Sequence, residues 1–333
     1  MPELRKDPVI GRWVIISTER GKRPHDFKVT PAPRKSGFCP FCPGNEDKTP
    51  PEIFAIRPSN TTPNSPGWSL RVVPNKYPAL RVEGELNRRG EGIYDVMNGV
   101  GAHEVIIETP HHELKLSQME IPHIQTILTV YRGRIADLRN DIRLKYVLVF
   151  KNQGYEAGAS LEHSHSQLIA TPIVPKTVVE ELEGARKYFQ YKERCIFCDI
   201  VREEIKDQVR VVYEEEHFIA IAPFAPRFPF ETWILPKHHQ SHYEKSSDTH
   251  LQHLAITLKL VLQKLEVALN NPPYNFIIHT SPMQDAEHPY YHWHIEIMPK
   301  LTRVAGFERG TGFYINSTSP EEAARYLKTI EID

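Results

Sequence analysis

Two imidazoles and an amide alternate with serine in His163-Ser-His165-Ser-Gln167, within the run Ser160-Leu-Glu-His-Ser-His-Ser-Gln-Leu-Ile-Ala-Thr-Pro172. The apolar tail Leu168-Ile169-Ala170 predicts a strand, and in a strand positions 163, 165 and 167 share one face, roughly 6 to 7 Å apart. Polar groups converging on one spot are costly to leave without partners. The pattern therefore calls for a metal, a phosphate or a reaction. Two cysteine pairs add to it, Cys39-Pro-Phe-Cys42 and Cys195-Ile-Phe-Cys198. A single zinc ribbon is disfavoured, because the pairs lie far further apart than the roughly 15 to 20 residues such a ribbon uses. Each pair is expected to begin its own metal site and to recruit histidines from elsewhere. A redox dithiol is the competing reading, but neither pair opens a helix after a strand as in a thioredoxin-like motif.

The elements that must position these residues occur twice, in the same order. In the first half Cys39 and Cys42 precede a strand-like segment, Val105-Ile-Ile-Glu-Thr-Pro-His-His112. A capping box of Ser117 and Glu120 then predicts a helix with its apolar stripe at Ile124, Ile127, Leu128, Tyr131, Ile135 and Leu138. The strand Tyr146–Phe150, a polar loop and the His-x-His run follow. In the second half Cys195 and Cys198 precede Glu231-Thr-Trp-Ile-Leu-Pro-Lys-His-His239. An N-cap at Asp248 predicts a helix through Leu251, Leu254, Leu258, Leu262 and Leu265. The strand Tyr274–Ile278 and His292-Trp-His294-Ile-Glu296 complete the series. His163 follows His112 by 51 positions, and His292 follows His239 by 53. The expected fold class is α+β: duplicated units, with an antiparallel sheet and one long helix packed on each half. Expected boundaries are 1–175 and 194–333, joined by a linker helix within 176–193.

Composition narrows the function. A net charge of −1, from 41 basic and 42 acidic residues, gives no overall field towards nucleic acid or a membrane. The N-terminus lacks an apolar signal core and no run approaches membrane-spanning length, so a cytoplasmic location is the default expectation. At 333 residues the chain needs no disulfide staples. Its 28 prolines are scattered through connections, which reads as loop-rich rather than disordered.

Two thiolates with two imidazoles make a closed tetrahedral set, the usual structural zinc arrangement. The duplication assigns Cys39, Cys42, His112 and His163 to one site, and Cys195, Cys198, His239 and His292 to the other. His111 and His238 are immediate neighbours that compete for the named places. With His163 committed to metal, the ring of His165 is free to attack phosphorus, provided one nitrogen donates to a carbonyl and the other keeps its lone pair. Gln167 offers an amide that stabilises a phosphoryl oxygen without acting as acid or base. That choice favours transfer to a second substrate over hydrolysis. In the second copy Glu296 replaces the amide, and a carboxylate disfavours an incoming phosphate; that copy reads as retired to a structural role.

These residues resemble the galactose-1-phosphate uridylyltransferase family of the histidine-triad superfamily, over about Arg5 to Tyr326. The resemblance implies double displacement. A histidine takes the nucleotidyl group from a nucleoside diphosphate sugar, sugar 1-phosphate leaves, and a second phosphate collects the nucleotide. By the same resemblance His165 is the nucleophile and Gln167 the phosphoryl-stabilising amide. Ser160 matches a phosphate-contacting serine; Arg20 and Arg23 match an Arg-x-x-Arg-Pro element near the nucleotide; Asn75 matches a nucleotide contact. Read without the resemblance, those arginines are solvated surface and Asn75 is a turn residue beside proline. Asn152 joins the substrate set, beside Lys151, where well-known uridylyltransferases carry glutamate. A homodimer is also implied by the family.

Two departures bear on the branch. Some uridylyltransferases lack a pair like Cys195 and Cys198. Gly306-Phe-Glu-Arg-Gly-Thr-Gly-Phe-Tyr-Ile-Asn316, together with Phe150-Lys-Asn-Gln-Gly154 and the His-Ser-His-Ser-Gln core, looks closer to the branch containing ADP-glucose phosphorylases, a segment that prokaryotic proteins assigned as uridylyltransferases share. Gly310-Thr-Gly312 could offer backbone donors to an anion or form a tight turn. The leading expectation is exchange between UDP-glucose and galactose 1-phosphate, with two zinc ions per chain. The alternatives are an ADP-sugar or dinucleoside polyphosphate phosphorylase using inorganic phosphate, and a non-catalytic zinc-stabilised nucleotide-binding scaffold.

Overall fold

The computed structural model describes residues 1–18 and 37–332. The first half runs β1 (Glu3–Lys6), β2 (Trp13–Ile16), β3 (Phe54–Ile56), β4 (Leu70–Pro74), the small hairpin β5 (Arg89–Glu91) and β6 (Tyr94–Val96), then β7 (Ala102–Ile107), α1 (Ile121–Leu138), β8 (Tyr146–Gln153) and β9 (His165–Thr171). Two helices follow, α2 (Lys176–Lys192) and α3 (Ile196–Asp207). The second half continues β10 (Val211–Glu214), β11 (Phe218–Ile221), β12 (Thr232–Pro236), α4 (Asp248–Leu269), β13 (Tyr274–His279) and β14 (His294–Pro299). The chain closes with α5 (Gly306–Thr311), β15 (Tyr314–Asn316) and α6 (Pro320–Thr329).

Ten strands make one sheet in the order β10-β11-β12-β14-β13-β8-β9-β7-β4-β3. The order is palindromic by role: β3, β4, β7, β9 and β8 on one side answer β10, β11, β12, β14 and β13 on the other. The halves meet at the antiparallel β8–β13 pair, in register from Tyr274 opposite Gln153 to Ile278 opposite Val149. The fold is thus α+β, with one sheet continuous across both halves.

Alternation along the strands decides which residues meet the helices. Val147 and Val149 of β8 and Leu168 and Ala170 of β9 join the apolar faces of α1 and α4 in one core. Every residue of the two predicted helical stripes is buried there. His165 and Gln167 of β9 emerge on the other face, beside a smaller apolar group of Cys39, Phe41, Trp68, Val73, Val105 and Ile107.

Helix starts differ from expectation. Ser117 sits in a 3-10 turn, Leu116–Gln118, and α1 begins at Ile121 after Glu120 as N-cap. Pro122 has no amide hydrogen to donate and a φ already suited to the first helical turn, so it sets the start there. At α4 the cap is Ser247, whose side chain accepts from the His250 amide, and Asp248 is the first helical residue. Helix α2 does more than connect, since it buries Val178, Glu181 and Ala185. A Cβ at Gly184 would lie 1.9 Å from the Val9 carbonyl oxygen, against open space at Gly133 in α1.

Gly184→Ala should therefore prise α2 from the N-terminal segment and cost about 1–3 kcal/mol. Gly133→Ala should instead stabilise by about 0.4–1 kcal/mol through the unfolded chain. Thermal unfolding of both variants checks the opposite signs.

Candidate active site and metal centres

Four donors from distant parts of the chain meet at the first cluster. Cys42 Sγ lies 3.3 Å from His112 Nδ1 and 3.6 Å from His163 Nδ1, and Cys39 Sγ lies 3.7 Å from His163 Nδ1. His163 Nε2 donates to the Thr109 carbonyl at 2.7 Å, which leaves its Nδ1 lone pair facing the thiols. Burial and the adjacent Cys39 push the Cys42 thiol up to about 11. Only a cation would hold both sulfurs as thiolates, and the donor chemistry suits one.

The second cluster repeats the first. Cys198 Sγ lies 3.4 Å from His239 Nδ1 and 3.6 Å from His292 Nδ1, while His239 Nε2 donates to His288 O and His292 Nε2 to Pro236 O. His112 and His163 cross at 89° with centroids 5.3 Å apart, and His239 and His292 cross at 88° and 5.5 Å. All four ligand atoms of each set lie within 4.8 Å of one another. His112 and His239, not His111 and His238, are the neighbours brought in. Cys195 caps α3, but that helix follows a helix and not a strand, unlike a thioredoxin-type redox pair.

Strand β9 begins at His165, so His163 stands two residues before the strand instead of within it. His165 Nδ1 donates to the His163 carbonyl at 2.7 Å, and Phe41 packs against its ring at a centroid distance of 5.3 Å. Burial first, then the nearby Lys151 ammonium, lower His165 to about 4. At neutral pH the ring is uncharged, with its lone pair on Nε2.

Behind β9, under α1, lies a polar group that sequence reasoning did not assemble. Lys151 Nζ donates to Glu108 Oε2 at 2.6 Å, to Ser164 Oγ at 3.0 Å and to the His165 carbonyl at 3.0 Å. Both charged side chains are fully buried. Ser164 Oγ also donates to Glu108 Oε2, and the Tyr131 hydroxyl lies 2.7 Å from Ser166 Oγ and 3.1 Å from Glu108 Oε1. Burial alone would raise Glu108, but the Lys151 ammonium outweighs it and holds the carboxyl below its ordinary range.

A cleft of about 460 Å³ opens over this strand, lined by Phe41, Asn75, Lys76, Ser160, His165 and Gln167 among others. That volume suits a nucleotide-sized ligand. Lys48 and Lys76, which the sequence did not single out, bring positive charge to the cleft. Asn152 sits at the β8–β13 seam instead, its Oδ1 accepting from Asn275 Nδ2 at 2.7 Å. Arg20 and Arg23 lie outside the described residues.

The second copy repeats the internal hydrogen bond, His294 Nδ1 to His292 O at 3.1 Å, but is closed over. His294 is 1 % exposed, stacked at 4.8 Å on His279 and tilted against Trp233. Around it Glu181, His279, His294 and Glu296 form a third, fully buried group. Its carboxylates are each partnered by a cation. His279 lies 3.3 Å from Glu181 and 3.5 Å from Glu296, and Arg227 pairs with Glu231 and Glu296. Burial opposes a charge on His279, yet the two carboxylates push it up to about 10.

Comparison with known families matches residues 1–175 to the N-terminal domain of galactose-1-phosphate uridyl transferase and residues 181–313 to its C-terminal domain. The chain belongs to this family. Family membership makes it an enzyme of nucleotidyltransferase type. Among similar members, an ADP-glucose phosphorylase of Arabidopsis thaliana is 43% identical, with 99% of this chain and 93% of the relative covered. A galactose-1-phosphate uridylyltransferase of Thermotoga maritima is 32% identical over the full length of both. A crystal structure of an Arabidopsis thaliana ADP-glucose phosphorylase with bound ADP-glucose superposes with a TM-score of 0.86, at 41% identity and complete coverage of both chains. No helix among the described residues is long and apolar enough to cross a membrane.

Replacing Lys151 by methionine would leave the Glu108 carboxylate buried without its cation, at a cost of about 3–5 kcal/mol. In the variant Glu108 should be raised above its unfolded value, so the folded form binds the extra proton. The stability gap to the parent enzyme should then widen as pH rises above about 4.5, the ordinary value for that carboxyl. Melting temperatures of both proteins between acid and neutral pH test this; a gap that narrows with rising pH would contradict the buried pairing.

Proposed function

We propose that the chain transfers a nucleotidyl group by double displacement, with His165 as the nucleophile. The observation that carries the reading is the 2.7 Å hydrogen bond from His165 Nδ1 to the His163 carbonyl on a cleft-lining ring. It fixes the tautomer, so Nε2 holds the lone pair. Nε2 bonds to the α-phosphorus of a nucleoside diphosphate sugar as the bond from that phosphorus to the bridging oxygen breaks. Sugar 1-phosphate departs with the electron pair. An oxygen of a second phosphate then attacks the same phosphorus, and the N–P bond breaks to restore the imidazole. Gln167 is assigned to the phosphoryl oxygens, and Asn75, Ser160, Arg20 and Arg23 to the substrate. Among the described residues no carboxylate lines the cleft beside His165, which favours transfer over recruitment of water by a general base there.

In this reading residues 1–175 carry the nucleophile and the first metal site, 194–333 the second, and 176–193 join them. Zinc is assigned to Cys39, Cys42, His112 and His163, and to Cys195, Cys198, His239 and His292. Four protein donors close the coordination, so the ions supply rigidity and leave no position for water.

Two donor–acceptor pairs are carried forward. The family's name supports UDP-glucose with galactose 1-phosphate. The higher identity to the Arabidopsis phosphorylase, 43% against 32% for the Thermotoga uridylyltransferase, favours ADP-glucose with inorganic phosphate. Intact-mass measurement after separate exposure to UDP-glucose and ADP-glucose decides between them, because the gain corresponds to UMP or to AMP. His165→Asn should bind nucleotide yet gain no mass and lose turnover; a turning-over variant removes the nucleophile assignment. Elemental analysis should find about two zinc ions per chain. Cys39→Ser should lower both metal content and melting temperature, and an unchanged melting temperature would count against the metal assignment.

A further inference from the structure

Gln167 has two faces, and only one of them helps a phosphoryl transfer. Its amino group would donate to a phosphoryl oxygen, whereas its carbonyl would repel one. Side-chain amides swing between these orientations unless neighbours decide. Here the segment from Asn75 to Ala79 decides, through His103.

His103 lies on β7 and Gln167 on β9, where Val105 pairs with Gln167 and His103 with Ile169. The two side chains are thus diagonal neighbours on one face. The backbone amide of Ala79 donates to His103 Nδ1 at 3.1 Å. A backbone N–H can only donate, so Nδ1 carries the lone pair and the ring proton must reside on Nε2. Nε2 stands 2.8 Å from Gln167 Oε1. A donor at that distance requires an acceptor, which places the Gln167 carbonyl against His103. Asn75 agrees independently. Its Oδ1 accepts from the Tyr77 amide at 2.9 Å, which turns its Nδ2 towards Gln167 Oε1 at 3.4 Å. The 3.1 Å between Asn75 Nδ2 and His103 Nε2 is then the approach of two donors converging on one oxygen. The Asn75 amide also donates to the His103 carbonyl at 2.8 Å, tying the segment to β7.

We infer that His103 is a positioning residue, fixing the Gln167 side chain so that its amino group faces the transferring phosphoryl group. The inference rests on the nucleotidyl-histidine reading of His165. Donation into the Gln167 carbonyl also polarises the amide, which strengthens the hydrogen bond its amino group gives.

The test is the rate at which the full-length enzyme gains nucleotide mass from UDP-glucose or ADP-glucose, whichever labels the unmodified enzyme, with nucleotide affinity measured alongside. His103→Leu should slow adduct formation by about 10- to 100-fold, below the roughly 100- to 1000-fold typical of deleting a transition-state donor outright. Nucleotide affinity should change far less. His103→Gln, whose terminal amino group reaches the place of Nε2, should recover most of the rate. In a Gln167→Ala background His103→Leu should cost nothing further, because the path it acts through is gone. A purely structural His103 would slow both backgrounds equally. Equal losses in the two backgrounds, or a His103→Leu rate within about twofold of the parent, overturn the inference. Absence of any adduct on the unmodified enzyme instead overturns the reading of His165.

Discussion

An ammonium group is costly inside a protein unless each hydrogen finds an acceptor. For Lys151 the three acceptors are Glu108, Ser164 and the carbonyl of His165 itself. One side chain on β8 thereby grips the end of β7 and the start of β9 together. The grip lies on the helix side of the sheet, while the His165 ring projects on the other. The backbone of the proposed nucleophile is thus held from behind by a charge on the opposite face of the sheet from the cleft. The same charge disfavours a proton on His165, so the element that fixes the ring's place also keeps it uncharged.

From the front, the first Cys/His cluster acts on the same few residues. His163 is pinned on one nitrogen by Thr109 O and presents the other to Cys39 and Cys42. Its own carbonyl accepts the hydrogen bond from His165 Nδ1. Three successive residues are therefore constrained from both faces of the sheet, which is the support a positioned reactive group needs. The second half shows that the framework alone does not make a site. It reproduces the paired histidines, the aromatic ring against the second of them and the internal hydrogen bond. Yet Glu296, Arg227, Glu181 and His279 fill the place where the first half has a cleft.

Much of this was legible because the chemistry is local in sequence. A CxxC pair, a His-x-His run and an apolar helical stripe can each be read within a dozen residues, and their recurrence exposed the duplication. Partners separated along the chain could not be read that way. Glu108 follows one apolar strand and Lys151 lies in another, and nothing in their neighbourhoods says they face each other. Glu181 looks like one of several acids on a polar helix until the fold buries it beside His279. The choice of His112 over His111 depends on the turn after Thr109, not on residue type. Ser117 and Glu120 satisfy a capping pattern, but Pro122 competes for the first turn and wins.

The β8–β13 seam has a consequence for how such a chain came to be. Either half alone would carry a bare edge strand, with a full ladder of amides and carbonyls seeking a mate. The cheapest mate for such an edge is the same edge on an identical molecule. The present chain is therefore the covalent form of what would otherwise be a symmetric pair of half-length units. With the pairing made covalent, the histidine pair of one half lies under a buried brace of Glu181, His279 and Glu296, while that of the other opens on a cleft.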